Sequence, residues 1–186
     1  MELEELLKKL ANSLEDLDIK YCITGGYAVS VWGRPRSTFD IDVVIQLKIK
    51  DIVSLMKSLR LLSRAGYIEE AVVREATIKG GEFNFIHPES GIKIDFWVIK
   101  ENDPTGINEL KRRVEKKFDS QTIYFISPED LILSKLRWFK ETNSERHLED
   151  VESVIKISGD KIDKKYLRQQ AANLGFSEIL NKYFNK

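Results

Sequence analysis

The sequence predicts a mixed α/β (α+β) fold: a small mixed β-sheet flanked by helices, followed by a C-terminal helical region. Two observations carry the prediction. Up to about residue 126, short β-type apolar runs alternate with runs of helical spacing; beyond it only helical spacing remains. The β-type runs are short and bounded by Gly, Pro or polar clusters, as strands of a compact sheet are. The expected organisation is an α/β core over residues 1–126, with a helical region over 127–186 packed on it.

Each element has its own warrant. Leu3, Leu6, Leu7, Leu10, Leu14 and Leu17 recur at helical spacing and predict an amphipathic first helix. "IKYCIT" reads as a short buried strand stopping at Gly25-Gly26, "YAVSVWG" as a short helix ended by Gly33, and "FDIDVVIQL" as a second strand. Ile52, Leu55, Met56, Leu59 and Leu62 mark a further helix. "EAVVREATIKGGEFNFIHPESGIKIDFWVI" reads as two or three strands, with turns at Gly80-Gly81 and Pro88–Gly91. "INELKRRVEKKF" is expected to be helical and "TIYFI" a last short strand. Ser127-Pro128-Glu129-Asp130 is a helix start, with a capping hydroxyl, proline in the first turn and acids at the positive helix end. Helical spacing then continues to the C-terminus with a break around Ile157–Asp163.

Thirty basic residues balance thirty acidic ones, so no global field draws the chain to nucleic acid or membrane. The single cysteine, Cys22, excludes an internal disulfide framework and reads as a packed core thiol. No run approaches the roughly eighteen apolar residues of a membrane span, and the charged first twenty residues lack a signal-peptide core. A cytoplasmic protein without membrane contact is the expectation.

The chemistry starts at Asp40 and Asp42. On a strand they share one face, while Ile41, Val43 and Ile45 fill the other. Neighbouring carboxylates repel, so either one is protonated or a cation sits between them; hard oxygen ligands on a rigid strand suit Mg²⁺ or Mn²⁺. Asp95 lies in a similar strand, "GIKIDFWVI", and shares its face with Lys93 and Trp97. If the two strands are neighbours, three carboxylates converge on one metal cluster. The alternative is that Lys93 neutralises Asp95 across the same face. Gly25-Gly26, between a strand and a helix, would let a phosphate approach a positive helix end.

Gly25-Gly26, Asp40-Ile41-Asp42 and Asp95, in this order, resemble the polymerase-beta-like nucleotidyltransferase superfamily. "RSTFDID", with Arg36 and Thr38, is similar to its small bacterial and archaeal members. "SPEDLILSKLRWFKETNSERHLEDV" resembles the helical region of the AbiEii/AbiGii toxins and related minimal nucleotidyltransferases; the likeness covers about residues 20–155. It implies catalytic and metal-binding roles for Asp40, Asp42 and Asp95, with Mg²⁺ or Mn²⁺ as cofactor. It also implies nucleotide contacts, through the triphosphate, for Gly25, Gly26, Arg36, Thr38 and Lys135. Arg146 and Asp150 match further positions of the pattern, although the two could also form an ordinary helix-surface pair. Two departures stand out: His147 follows Arg146 where many relatives have an acid, and Gly26 replaces a serine found in others.

The reaction implied is transfer of a nucleoside monophosphate from an NTP to an acceptor hydroxyl on RNA or protein, by the toxin of a pair with an antitoxin protein. An aminoglycoside-like small-molecule acceptor and a non-catalytic nucleotide- or partner-binding relative are the alternatives. His87 and His147 lack metal-ligand spacing, and the basic runs at Lys111–Lys117 and around Lys161–Arg168 read as solvated faces unless RNA uses them.

Overall fold

The computed structural model describes residues 2–184. The chain forms two compact units, Met1–Tyr27 with Ser37–Ile126, and Ala28–Arg36 with Ser127–Lys186.

The first unit is built on a mixed six-stranded sheet. Its strands are β1 (Tyr21–Thr24), β2 (Asp40–Ile45), β3 (Gly81–His87), β4 (Ile92–Val98), β5 (Val114–Phe118) and β6 (Gln121–Phe125). They lie in the order β3-β4-β2-β1-β6-β5. The β2–β4 and β1–β6 pairs are parallel, and the other three are antiparallel. Helix α1 (Leu3–Asp16) turns Leu6, Leu7, Leu10, Ala11 and Leu14 inward, against β6 and α3 (Ile52–Leu62). Strand alternation does the rest: Ile41, Val43 and Ile45 of β2 and Ile94 and Phe96 of β4 are fully buried. Cys22 is buried and in no disulfide, as its apolar setting predicts.

Helix α2 (Gly25–Trp32) begins in this unit and continues into the second. It opens at Gly25 itself, two residues before the tyrosine expected to start it.

Two segments differ from expectation. "EAVVREATIK", expected to belong to the strands of its stretch, is helix α4 (Glu70–Lys79). Its inward face is only Val73 and Ala76, three apart, and its outer face carries the i,i+4 ion pairs Glu70–Arg74 and Glu75–Lys79. The second difference lies in "INELKRRVEKKF", where helix α5 (Pro104–Lys111) stops and β5 takes over the last five residues. Half-buried Val114, Lys116 and Phe118 alternate with exposed Glu115 and Lys117, and Asp119 (φ 54°) turns the chain back onto β6. Arg113 lies over the Tyr124 ring, 4.0 Å from its centre, and donates to the Tyr21 carbonyl at 3.2 Å.

In the second unit, α6 (Pro128–Thr142) packs against α7 (Glu145–Ser158) and α8 (Lys164–Asn173), with α9 (Ser177–Phe184) on α8. The α6 start works as its sequence demands: Ser127 Oγ accepts the Asp130 N–H and donates to Asp130 Oδ2. The buried acids of this first turn reach further. Asp130 Oδ1 accepts from the Tyr166 hydroxyl, and Glu129 Oε1 from the Asp163 N–H. Asn143, left-handed at φ 54°, ends α6. Among the described residues no helix is long and apolar enough to cross a membrane.

Phe96 is the packing anchor of the strand carrying Asp95, fully buried and stacked on Phe83 with ring centres 4.7 Å apart. Phe96→Ala is expected to cost about 3–5 kcal/mol, read in urea unfolding as a lower midpoint at unchanged slope.

Candidate active site

The acids sit where the sheet gathers its polar residues into one row. Asp42 is in register with Thr24 of β1 on one side and Asp95 of β4 on the other, and Asp95 in turn faces Asn84 of β3. Side chains in register point to the same face of a sheet, so Asp42 and Asp95 stand side by side at the strand spacing of about 4.8 Å. Asp40 lies two residues earlier on that face, opposite Lys93. All of these acids are partly buried, between the apolar body of the sheet and its surface.

Gly25 explains why the turn before α2 begins with glycine. Its φ is +61°, a conformation that side chains other than glycine's adopt only with strain. A Cβ there would fall 1.8 Å from Asp42 Oδ2. The Asp42 carboxylate thus rests against the Gly25 backbone, in space that any other residue would fill. The sequence offers Gly25 as a phosphate-approach residue; the structure adds that it makes room for an acid.

Lys93 is a cation paired with one of these acids. Its Nζ lies 2.8 Å from Asp95 Oδ2. The hydrogen bond to Asp95, with the added charges of Asp40 and Asp42, raises the ammonium's pKa against the opposing effect of partial burial. The Lys93–Asp95 neutralisation weighed from sequence is therefore present. Hard carboxylate oxygens on one face, already holding a cation, fit a divalent metal in chemistry. Yet among the described residues no three Asp, Glu, His or Cys side chains are drawn together as a ready metal cage. Thr38 Oγ1 donates to the Asp40 carbonyl at 3.3 Å, tying the residues that enter β2.

The other candidate residues belong to the helical unit. Asp150 is buried there and takes two cations. Arg36 grips it with both prongs, Nε to Oδ1 at 2.9 Å and Nη2 to Oδ2 at 3.0 Å, and Lys135 Nζ lies 2.9 Å from Oδ2. Lys135 is itself buried. Asp150 thus does not depend on an i,i+4 pairing with Arg146, which lies exposed one turn away. Burial alone would raise the Asp150 carboxyl, but the Arg36 hydrogen bond and the Lys135 charge outweigh it and hold the pKa below the usual carboxylate value. His147 stacks on Trp138, and burial with the nearby Lys135 charge lowers its pKa.

What sequence reasoning missed is the Arg36–Asp150 fork, since nothing local links residues 114 positions apart.

A family model described as nucleotidyl transferase AbiEii toxin, type IV TA system, matches residues 6–178. No curated protein matches the chain in sequence. Among solved structures, the antibiotic-resistance factor ANT(2'')-Ia aligns over 98% of this chain and 97% of its own, at 14% identity and a TM-score of 0.59. The lincosamide antibiotic adenylyltransferase LnuA aligns over 83% of this chain and 97% of its own, at 19% identity and a TM-score of 0.57. An antigenic nucleotidyltransferase-like protein from Paracoccidioides brasiliensis covers 94% of this chain and 88% of its own, at 20% identity and a TM-score of 0.55. These likenesses show a shared nucleotidyltransferase fold.

The depressed Asp150 pKa has a sign that can be checked. Its stabilising share is fully present above the unfolded carboxylate value of about 4 and is lost as pH falls through the lower folded value. Acid unfolding followed by circular dichroism should therefore show a steep loss of stability below about pH 4. In Asp150→Asn that slope should flatten and the neutral-pH stability should be lower, because two buried cations lose their partner.

Proposed function

We propose, for a chain that belongs to the AbiEii nucleotidyl transferase toxin family of type IV toxin–antitoxin systems, that its carboxylate row catalyses transfer of a nucleoside monophosphate to a hydroxyl on RNA or protein. The chain is a nucleotidyltransferase by family; the acceptor, the metal and the residue roles are the proposal. The supporting observation is the row itself: Asp42 and Asp95 in register on parallel neighbouring strands, Asp40 on the same face, and Gly25 cleared for Asp42.

The proposed roles are supported by that geometry and by the family resemblance. Asp40, Asp42 and Asp95 would hold Mg²⁺ or Mn²⁺, which would supply positive charge against the charge building up at the α-phosphate. Asp95 also accepts the proton of the acceptor hydroxyl. The acceptor oxygen forms its bond to the α-phosphorus as the bond to the β-phosphate oxygen breaks, and pyrophosphate leaves with that electron pair. Gly25 and Gly26, opening α2, lie where its positive end favours an anion. Thr38 orders the residues leading into β2. Arg36 and Lys135 keep the nucleotide-binding role that the family resemblance implies. Asp150 is a positioning residue that fixes both cations, and Arg146 is assigned no role. The toxin role extends the same proposal, with an antitoxin protein as the partner implied by the family's system.

The test supplies each α-labelled nucleoside triphosphate with Mg²⁺ to the protein, alongside total RNA, total protein and, separately, tobramycin and lincomycin. Label on RNA or protein, reduced on the order of a hundredfold in Asp42→Asn, is expected. Label confined to an antibiotic would move the acceptor to small molecules. No transfer with any nucleotide, or transfer undiminished in Asp42→Asn, would overturn the proposal.

A further inference from the structure

Lys93 has no part in the reaction just described, yet its ammonium is paired with one of the acids. Its Nζ holds Asp95 Oδ2 at 2.8 Å, and its backbone stands in register with Asp40. An oxygen hydrogen-bonded to an ammonium has a lone pair already engaged, and that ammonium repels an incoming dication. The same charge keeps mutually repelling carboxylates tolerable when no metal is there. Lys93 is also free to leave. Its side chain is 43% exposed against 17% for Asp95, and four rotatable stem carbons let the ammonium reach water without moving β4.

We propose that Lys93 is the resident counter-ion of Asp95 in the acid row, and that a divalent cation binds by exchange, entering as the ammonium leaves Asp95. The inference rests on the metal-ligand roles proposed above. Those roles require that the carboxylates bind a metal; the exchange requires that Lys93 oppose that binding. Asp95 Oδ2 is thus held by one partner at a time, the lysine before loading and the metal after it. Lys93 is therefore a positioning residue that lowers metal affinity while protecting the metal-free fold. A lysine with only a structural duty in β4 would weaken the fold when replaced and leave metal affinity unchanged or lower.

The two roles separate in a calorimetric titration with MnCl₂ alone at low salt, on the wild type, Lys93→Met, Lys93→Arg and Asp42→Asn. Lys93→Gln stands in if the methionine variant aggregates. Lys93→Met is expected to bind Mn²⁺ about fivefold more tightly than wild type, the scale of one half-exposed ion pair. Its metal-free form should melt at a lower temperature. Lys93→Arg, keeping the charge, should bind close to wild type. Wild-type binding that disappears in Asp42→Asn, with Lys93→Met no tighter than wild type, would overturn the exchange and leave the metal-ligand roles standing. Absence of Asp42-dependent binding in every variant would overturn both.

Discussion

The site depends on one close approach: the Asp42 carboxylate lying against the backbone of Gly25. An acid on an inner strand of the sheet needs room and a polar boundary, since burial without partners costs several kcal/mol. Gly25 supplies the room, because a methyl group there would meet Asp42 Oδ2 at 1.8 Å. The antiparallel β1–β2 register brings the turn and the acid together, pairing Thr24 with Asp42. The parallel β2–β4 register then sets Asp95 beside Asp42. Glycine turn, acid pair and third acid are thus consequences of the two registers that β2 makes with its neighbours. A slip of one residue in β2 would turn the acids into the apolar core.

Charge is handled differently in the two units. In the sheet unit, half-exposed Lys93 pairs with partly buried Asp95, and the charges of Asp40 and Asp42 also act on its ammonium. In the helical unit one buried acid, Asp150, has two cations within hydrogen-bonding distance and both its oxygens occupied. Such a cluster is expensive to break and holds its members in fixed positions. The first arrangement suits a site that takes up and releases ions, the second a fixed support.

Much of this was legible in the sequence because it is written locally. The alternation of Asp40, Ile41, Asp42 and Val43 sets a strand with an acidic face wherever that strand lies. Ser127-Pro128 starts a helix by chemistry confined to one turn. Gly25 invited a reading as a phosphate turn, but its steric duty toward Asp42 depends on a register that no local pattern encodes. The misread segments fail for related reasons. Val72 and Val73 favour a strand by propensity, yet only Val73 and Ala76 are buried, and the ion pairs of α4 decide for helix. In Lys111–Phe118 charge-rich helical composition conceals a β-alternation that matters only because β6 is there to pair with it. Arg36 and Asp150 find each other through the tertiary fold alone.

The most direct measurement of the account is made on Gly25→Ala, by thermal melting and by Mn²⁺ titration of the folded protein. The substitution adds a methyl at positive φ, straining the backbone by roughly 1–3 kcal/mol, and it drives the Asp42 carboxylate from its place. The account predicts a lower melting temperature together with loss of Asp42-dependent Mn²⁺ binding. A Gly25→Ala protein that melts as the wild type does and binds Mn²⁺ with unchanged affinity would contradict it.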